Sequence, residues 1–264
     1  MYKNAFTCLL FLYSINLFSE ISIDPGEIFF VKIADCPDIK TREELFINFE
    51  GIEYAILPAP FSKEELILND YCLQVKVKKK KFGESRITIT DTSKVDLSKS
   101  DSDRAFKESK LIKQSLNTYT KDLKPSLKFI SPVKGIISSR YGKQRYIKEK
   151  PRSPHLALDI AAAEGASIVA PSAGRVILIG DFFYSGNYLI LDHGNGLLSS
   201  YSHMSLVHVN EGEFVNQGDV IGEVGSTGRV TGPHLHWSVY LSKNRINPES
   251  LLQENFLDTL FNRL

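Results

Sequence analysis

Short apolar runs separated by glycine dominate the second half of the chain. From Phe129 onward these runs read "GRVILIG", "NYLILDHGNGLLSSYSHM" and "GDVIGEVG". Runs of this length with turn residues between them are typical of antiparallel strands. The Asn-Gly pair in "DHGNG" supplies the positive φ angles that a two-residue hairpin needs. Between Phe129 and Pro248 no segment with helical periodicity is long enough to form a helix. The pattern therefore predicts an antiparallel β-sheet domain over residues 129–248.

The segment before this domain, residues 20–93, is also rich in strand-forming residues. "GEIFFVKI" and "SRITITDT" alternate or run apolar, and turn residues at positions 24–26 and 58–60 punctuate the segment. The lysine-rich stretch at 76–82 begins with alternating valine and lysine. It is typical of a solvated edge strand or hairpin whose charges block edge-to-edge pairing. We therefore predict a second β-rich domain here.

Residues 94–128 and 249–264 have a helical character. The first segment is rich in Ser, Asp and Lys, and its loosely spaced apolar residues predict a polar linker with one amphipathic helix packed between two domains. Those apolar residues are Phe106, Leu111, Ile112 and Leu116. The second segment predicts a closing amphipathic helix. Its apolar stripe consists of Leu251, Leu252, Phe256, Leu257, Leu260 and Phe261. The chain as a whole is therefore predicted to be mainly β.

Residues 1–19 have the features of a secretory signal peptide. Lys3 precedes an apolar stretch at 5–18, which is shorter than the roughly 20 residues that span a bilayer. Leu17 and Ser19 occupy the positions before a cut after Ser19. Cys8 has no leucine-rich box leading into it, so no lipoprotein signal is predicted. We expect export to the periplasm or cell envelope; the alternative is an uncleaved segment that anchors the chain.

Composition narrows the function classes. The chain has 264 residues, of which 42% are hydrophobic, so it can build a substantial core. Its 32 basic and 31 acidic residues are nearly balanced, which argues against a basic nucleic-acid surface. Beyond the signal, Cys36 and Cys72 remain. Outside the cytoplasm such a pair can form a disulfide; the alternative is two small buried hydrophobic residues.

Two of the six histidines lie two positions apart in "TGPHLHW". The following residues continue the alternation, "HLHWSVYL", and therefore predict a strand. Residues i and i+2 of a strand share one face. Leu235 and Trp237 would then point into the core, while His234 and His236 would lie together on the opposite face.

Three more residues join these histidines in a candidate metal site. "SPHLALDIAA" contributes His155 and Asp159, with Pro154 bending the chain so that His155 lies in a loop and Asp159 on a strand. "SSYSHMSL" contributes His203. Two imidazoles and one carboxylate suit a zinc ion that keeps its fourth position open. His155, Asp159 and either His234 or His236 would fill that set. His203 and the other histidine of the pair would then act on water and substrate.

These residues resemble a known family. "SPHLALDIAAAEGASIVAPSAGRVI", "YSHM" and "GSTGRVTGPHLHW" are similar to the lysostaphin/LytM-type zinc metallopeptidases of family M23, from about position 130 to position 248. Residues 24–89 also resemble the β-sandwich domain that precedes the peptidase in some members. Ala157 stands where the family usually has glycine, and Met204 replaces a common leucine.

The resemblance implies a role for each site residue. The ligands of one zinc ion per chain would be His155, Asp159 and His236, and the catalytic pair would be His203 and His234. It also implies a peptidase domain at 129–248, a β-sandwich-like domain at 20–93, and peptidoglycan as the substrate. The bond cut would be a peptide bond in a stem or cross-link.

Four further residues are candidates for the substrate groove. Tyr201 would share a face with His203 by alternation, and Asn187 would lie beside it; the plainer interpretation is a packed aromatic ring and a turn amide. Arg140 and Tyr141, in "SSRYG", would shape the rim. His193 is predicted in a turn and His208 on a strand surface.

Two functions of different classes follow from this sequence. The first is an exported zinc endopeptidase that acts on the cell wall, with or without a regulatory protein partner. The second is a wall-binding or amidase-activating module on the same fold, which would typically lack some ligands. The chain has no H-E-x-x-H motif and no G-x-S-x-G elbow, which excludes helix-borne zinc proteases and α/β-hydrolases.

Overall fold

The computed structural model describes residues 20–70, 72–88, 97–254 and 256–261. The predicted signal peptide lies outside these residues. Most of the regular structure is β, as the sequence predicts. Within the described ranges no helix combines the length and apolar character needed to cross a bilayer.

Two three-stranded sheets form the N-terminal part of the structure. One sheet has the order β1-β6-β5 and the other β2-β4-β3. The strands are β1 (Glu20–Ile23), β2 (Ile28–Lys32), β3 (Leu45–Phe49), β4 (Ile52–Pro58), β5 (Leu66–Asp70) and β6 (Leu73–Val77). A shared apolar cluster lies between the sheets and includes Phe29, Leu57, Val75 and Val77. The arrangement is that of a small sandwich.

A disulfide joins Cys36 to Cys72 across this sandwich. Cys36 lies between two short 3₁₀ helices, Ile33–Asp35 and Pro37–Thr41, and is buried. Cys72 lies in the turn between β5 and β6. The bond therefore ties the β2–β3 connection to the other sheet.

The lysine-rich stretch does not form an edge strand. Its first residues belong to β6, which is the central strand of its sheet, and Lys78 to Lys81 follow in an exposed connection. Lys78 and Lys80 pair with Asp24, and Lys79 pairs with Glu64. The lysines therefore lie on a solvated surface, as expected, but they do not shield a strand edge.

The linker contains one helix, α1 (Lys99–Ser115), capped by Ser98. Ile112 and Leu116 pack against an apolar cluster on the long sheet of the C-terminal domain. Phe106 is 74% exposed and Leu111 is 44% exposed. The expectation that this helix packs between two domains is therefore wrong: half of the predicted apolar stripe faces solvent.

The C-terminal domain is built on a ten-stranded sheet with the central order β13-β14-β15-β18-β11-β8. A separate small sheet has the order β10-β9-β7. The strands are β7 (Glu84–Ile87), β8 (Ile136–Ser139), β9 (Gln144–Ile147), β10 (Lys150–Pro151), β11 (Leu158–Ala161), β12 (Ser167–Val169), β13 (Gly174–Phe182), β14 (Gly186–Gly194), β15 (Leu197–Val207), β16 (Phe214–Val215), β17 (Val220–Val224), β18 (His234–Leu241) and β19 (Asn244–Ile246). Asn195 and Gly196 have positive φ and form the two-residue turn between β14 and β15, as predicted.

Two sets of contacts, among others, join the N-terminal and C-terminal parts. β7, from within the range predicted for the N-terminal domain, pairs in parallel with β9. The outer face of the β2-β4-β3 sheet shares one apolar core with the long sheet. The β7 contact brings an N-terminal segment close to the predicted site, whereas the β2-β4-β3 sheet covers the opposite, core-facing side of the long sheet.

The tail forms two short helices rather than one. α2 (Pro248–Leu251) is followed by its C-cap Leu252, whose N–H bonds to the carbonyl of Glu249, and α3 (Phe256–Phe261) begins after a turn. The single helix predicted over 249–264 is therefore wrong, because this tight hydrogen bond closes the helix after one turn. Leu251, Phe256 and Leu260 are nevertheless buried in the shared core.

Candidate active site

Three predicted ligands converge on one point of the long sheet. Asp159 on β11 lies opposite His236 on β18 in the strand register, and His155 reaches them from the preceding loop. Asp159 Oδ1 is 2.9 Å from His155 Nε2 and 2.6 Å from His236 Nδ1. The two ring nitrogens are 3.3 Å apart. Among the described residues, these form the group of donors able to hold a metal ion.

The donor set fits zinc. Two imidazole nitrogens and one carboxylate oxygen match a catalytic zinc site with three protein ligands. Ligand atoms at about 2.0–2.1 Å from one tetrahedral ion lie roughly 3.3 Å from each other. The observed separations of 2.6–3.3 Å are close to that value. A small shift of the side chains would therefore admit the ion.

Neighbouring groups fix the tautomer of His155. Its Nδ1–H donates to the carbonyl oxygen of Arg140 at 3.0 Å, and the Ser139 hydroxyl lies 3.2 Å from the same nitrogen. Because a carbonyl oxygen can only accept, the proton resides on Nδ1, which leaves a lone pair on Nε2. His155 is fully buried. Its ring is thus held ready to bind a metal through Nε2.

Electrostatics favour the protonation states that metal binding requires. Burial by itself raises the pKa of the Asp159 carboxyl, but charge interactions and hydrogen bonds with His236 and His155 hold that pKa well below its usual range. Burial lowers the pKa of His236 to about 4, although Asp159 opposes this shift. An ionised carboxylate and a neutral imidazole are the forms that bind a cation.

The second histidine pair lies beside the metal ligands. The ring centroids of His203 and His234 are 5.0 Å apart, and those of His203 and His236 are 5.8 Å apart. His203 Nδ1–H donates to the Thr227 carbonyl, and His234 Nδ1–H donates to the Gly232 carbonyl. Both rings therefore carry their lone pair on Nε2. Burial, followed by His236 and His234, lowers the pKa of His203 well below its usual value. Both histidines are placed to accept protons.

Two glycines allow the loops around His203 to pack closely. Gly186 has a φ of +62°, and Gly228 has a φ of +76°; a Cβ on Gly228 would lie 2.4 Å from the Gly186 nitrogen. Thr227, between the loops, accepts a hydrogen bond from the Asn187 N–H and donates one to the Met204 carbonyl. Through its own carbonyl it also holds the His203 ring.

Replacing Gly186 with alanine is expected to lower the activity of this site more than tenfold. The new Cβ would lie 2.1 Å from Thr227 Oγ1, so Thr227 must move and take the His203 ring with it. Gly212→Ala is the matched control, because Gly212 has a φ of +85° but nothing within 4 Å of its Cβ position. Both variants carry a backbone cost of about 1 kcal/mol. Equal activity in the two purified variants would show that this contact does not position His203.

These residues line a groove of about 750 Å³. The floor is formed by side chains of the long sheet, among them Ser200, Ser202, Ser238 and Tyr240. Ser85 and Ile87 on β7 and Ile112 on α1 also line the groove. The N-terminal half therefore contributes to the wall of the site.

Tyr201 does not belong to the groove. It is fully buried on the core side of the sheet, opposite Trp237 in the register, and its hydroxyl bonds to Ser199. The prediction from alternation fails because His203 has a φ of +67°, which breaks the strand geometry between the two residues. Ser202 takes the place opposite His236 instead.

The other three groove candidates also lie outside the lining. The Asn187 amide donates to the Ser205 carbonyl and holds the loop. The Arg140 side chain pairs with Glu249, while its backbone carbonyl accepts the hydrogen bond from His155 Nδ1–H. Tyr141 is buried against Phe61 and Phe82 and donates to the Arg245 carbonyl. All three have structural contacts that draw their side chains away from the groove.

The remaining two histidines are not part of the site. His193 lies on β14 rather than in a turn and is buried, with Nδ1 bonded to the Ala173 carbonyl and Nε2 close to Ser199 Oγ. Burial lowers its pKa to about 4. His208 is exposed and pairs with Glu223 at 3.0 Å.

Four arginines that the sequence did not single out also line the groove: Arg145, Arg152, Arg229 and Arg245. They come from three separate parts of the chain. Arg145 on β9 is the nearest to the ligands, with Nη2 3.7 Å from Asp159 Oδ2. No spacing rule relates these positions, so their convergence depends on the fold.

Comparison with known proteins finds a family that is similar to the part of the chain that carries this site. Residues 153–248 match peptidase family M23. The peptidoglycan DD-endopeptidase ShyA of Vibrio cholerae is 36% identical over 112 residues, which is 42% of this chain and 26% of ShyA. The DD-carboxypeptidase/endopeptidase Mpg of Neisseria meningitidis is 39% identical over 97 residues, 37% of this chain and 22% of Mpg. The chain thus spans about a quarter of the length of these relatives.

A solved structure extends the likeness beyond the peptidase domain. A crystal structure assigned to peptidase M23 from Pseudomonas aeruginosa has a TM-score of 0.64 and 28% sequence identity, and the match covers 86% of this chain and 94% of that one. All three convergent donors and both groove histidines lie within the matched residues 153–248. This part of the chain is therefore similar in sequence to the peptidases of family M23.

Proposed function

We propose that this protein is an exported zinc metalloendopeptidase that hydrolyses peptide bonds in the stem peptides or cross-links of peptidoglycan. One observation carries the proposal: three metal donors within 3.3 Å of one another lie beside two histidines with available Nε2 atoms. ShyA and Mpg, which share the peptidase domain, are named for peptidoglycan or DD-peptide cleavage. The complete ligand set argues against a non-catalytic module.

One zinc ion per chain would be held by His155, Asp159 and His236. When bound, zinc acts as a Lewis acid that polarises the scissile carbonyl and lowers the pKa of water towards about 7. The protein supplies the preorganised ligands. Arg140, through its carbonyl, keeps His155 in the tautomer that binds through Nε2.

His203 and His234 would move the protons of the reaction. As the water oxygen bonds to the carbonyl carbon, an Nε2 lone pair accepts the proton that the water loses. The resulting Nε2–H can donate a hydrogen bond to the developing oxyanion. The proton then passes to the leaving nitrogen as the C–N bond breaks, which restores the neutral ring. Since each Nδ1–H is held by a backbone carbonyl, both rings keep the orientation that this transfer needs.

Export is supported by two features. The first 19 residues have the pattern of a signal peptide, and the Cys36–Cys72 disulfide suits an oxidising compartment such as the periplasm. We therefore place the mature protein in the periplasm or cell envelope, either released or anchored by an uncleaved N-terminal segment.

The decisive experiment is digestion of purified peptidoglycan sacculi by the mature protein, with and without a chelator. We expect peptide-cut fragments, identified by mass spectrometry, to disappear with the chelator and return with added zinc. Metal analysis of the same preparation should give about one zinc per chain. Intact sacculi in the presence of a zinc-loaded protein would contradict the proposal and favour a wall-binding module.

A further inference from the structure

The groove has a strong local excess of positive charge. Arg145, Arg152, Arg229 and Arg245 all line it, and Asp159 is the single acidic side chain among the described lining residues. Asp159 is assigned as a metal ligand, so its negative charge would offset the positive charge of the metal ion rather than that of the arginines. The chain as a whole has 32 basic and 31 acidic residues. The charge of the groove is therefore a property of this site rather than of the protein.

The arginines approach the site from different walls. The Arg152 N–H donates to the Arg145 carbonyl, so both belong to the β9–β10 wall. Arg229 lies in the loop before β18, with its guanidinium 4.2 Å from the Tyr184 ring centroid. Arg245 lies on β19, and its Nε donates to the Tyr240 hydroxyl at 3.2 Å. The Tyr184 and Tyr240 contacts orient guanidinium groups around the groove.

This arrangement places like charges near one another. Arg229 and Arg245 act electrostatically on Arg145, and Arg152 acts on Arg229. Such repulsion opposes folding, and a metal cation at Asp159 would add to it. A bound anion would relieve it, and the planar guanidinium fork is suited to carboxylates.

We propose that the groove selects peptides with free carboxylates next to the scissile bond, and that Arg145, Arg152 and Arg229 determine this specificity. This inference rests on the proposed peptidase function and names its substrate class more closely. Arg145 and Arg152 would bind one carboxylate beside the metal site, and Arg229, in the loop before β18, would bind a second.

The test uses two synthetic cross-linked stem-peptide dimers that differ only in their free carboxylates, which are carboxamides in the second dimer. We expect kcat/KM of the native protein to be at least about tenfold higher for the carboxylate dimer, as charge-assisted hydrogen bonds predict. Arg152 is exposed, so Arg152→Gln leaves the core intact. It should reduce that preference severalfold, because the loss in kcat/KM falls mainly on the carboxylate dimer.

Two controls separate charge from structure. Arg152→Lys keeps the charge but not the fork, so it should retain part of the preference. Arg175→Gln removes an exposed arginine on β13 that bonds to the Gly212 carbonyl and lies outside the groove lining. It should leave the preference unchanged. Zinc content is measured for every variant.

A binding measurement keeps this inference distinct from the proposed function. The His234→Ala variant, loaded with zinc, is titrated calorimetrically with both dimers. Tighter binding of the carboxylate dimer supports the inference even if the native protein cuts neither dimer. Failure to cut either dimer would refute the proposed peptidase function but not the inference. Equal affinity for the two dimers, or equal kcat/KM, overturns the inference.

Discussion

Replacing His234 with alanine is expected to lower peptide cleavage about 10²- to 10⁴-fold while zinc stays bound, since general acid–base catalysis contributes that much. His234 is not among the three convergent donors. Its Nδ1–H is held by the Gly232 carbonyl, so its catalytic atom is Nε2. The measurement is kcat/KM on a cross-linked peptide, together with the zinc content of the same sample.

The partner histidine provides a second arm of this experiment. His203→Ala should have a similar effect, and the double variant should cost less than the product of the two single losses, because residues that act as a unit are not additive. His208→Ala is the matched control, since the His208 side chain is exposed, pairs with Glu223 and lies outside the groove lining. Near-normal cleavage by His234→Ala would overturn the role assigned to that ring.

The sequence was most informative where function depends on short spacing within a strand or loop. His234 and His236 share a face because strand side chains alternate, and the structure shows this arrangement. His155 lies in a bend after Pro154 with Asp159 on the strand, also as expected. The choice between His234 and His236 as ligand came from the family resemblance, and the geometry brings the His236 nitrogen to Asp159.

Alternation misled where the backbone departs from strand geometry. Tyr201 and His203 are two positions apart, yet one is in the core and the other in the groove. The cause is the positive φ of His203, a conformation rare for residues with a side chain. Histidine adopts a positive φ more often than most residues with a side chain, but still too rarely for the residue type alone to predict it.

Outside the residues covered by the family resemblance, convergence over long sequence distances could not be predicted. Arg145 and Arg245 are 100 positions apart and meet only because β9 and β19 lie along one groove. The parallel pairing of β7 with β9 likewise depends on a segment that returns past a helix and a linker. Periodicity reports which face of an element is buried, but not which other element covers it.

Removing the carboxylate of the metal site should abolish both activity and zinc-dependent stability. In Asp159→Ala the two ring nitrogens remain but the carboxylate between them is lost, so zinc affinity should fall more than 100-fold. Mutation of a residue that only hydrogen-bonds to a metal ligand typically lowers affinity about 10- to 100-fold. In the native protein, zinc at 100 times its Kd should stabilise the fold by about 2.7 kcal/mol. For a chain of this length that raises Tm by roughly 5–10 °C.

Thermal unfolding with and without zinc measures this difference directly. The Asp159→Ala variant should show no zinc-dependent rise in Tm, whereas the control His208→Ala should show the full rise. Because the variant also loses the close contacts of Asp159 with His155 and His236, its metal-free Tm alone does not report on zinc binding. The rise in Tm on adding zinc does. If zinc raised the Tm of Asp159→Ala as much as that of the native protein, the ion would be held by other residues. The assignment of His155 and His236 as ligands would then fail as well, since Asp159 Oδ1 is the atom that brings their two nitrogens together.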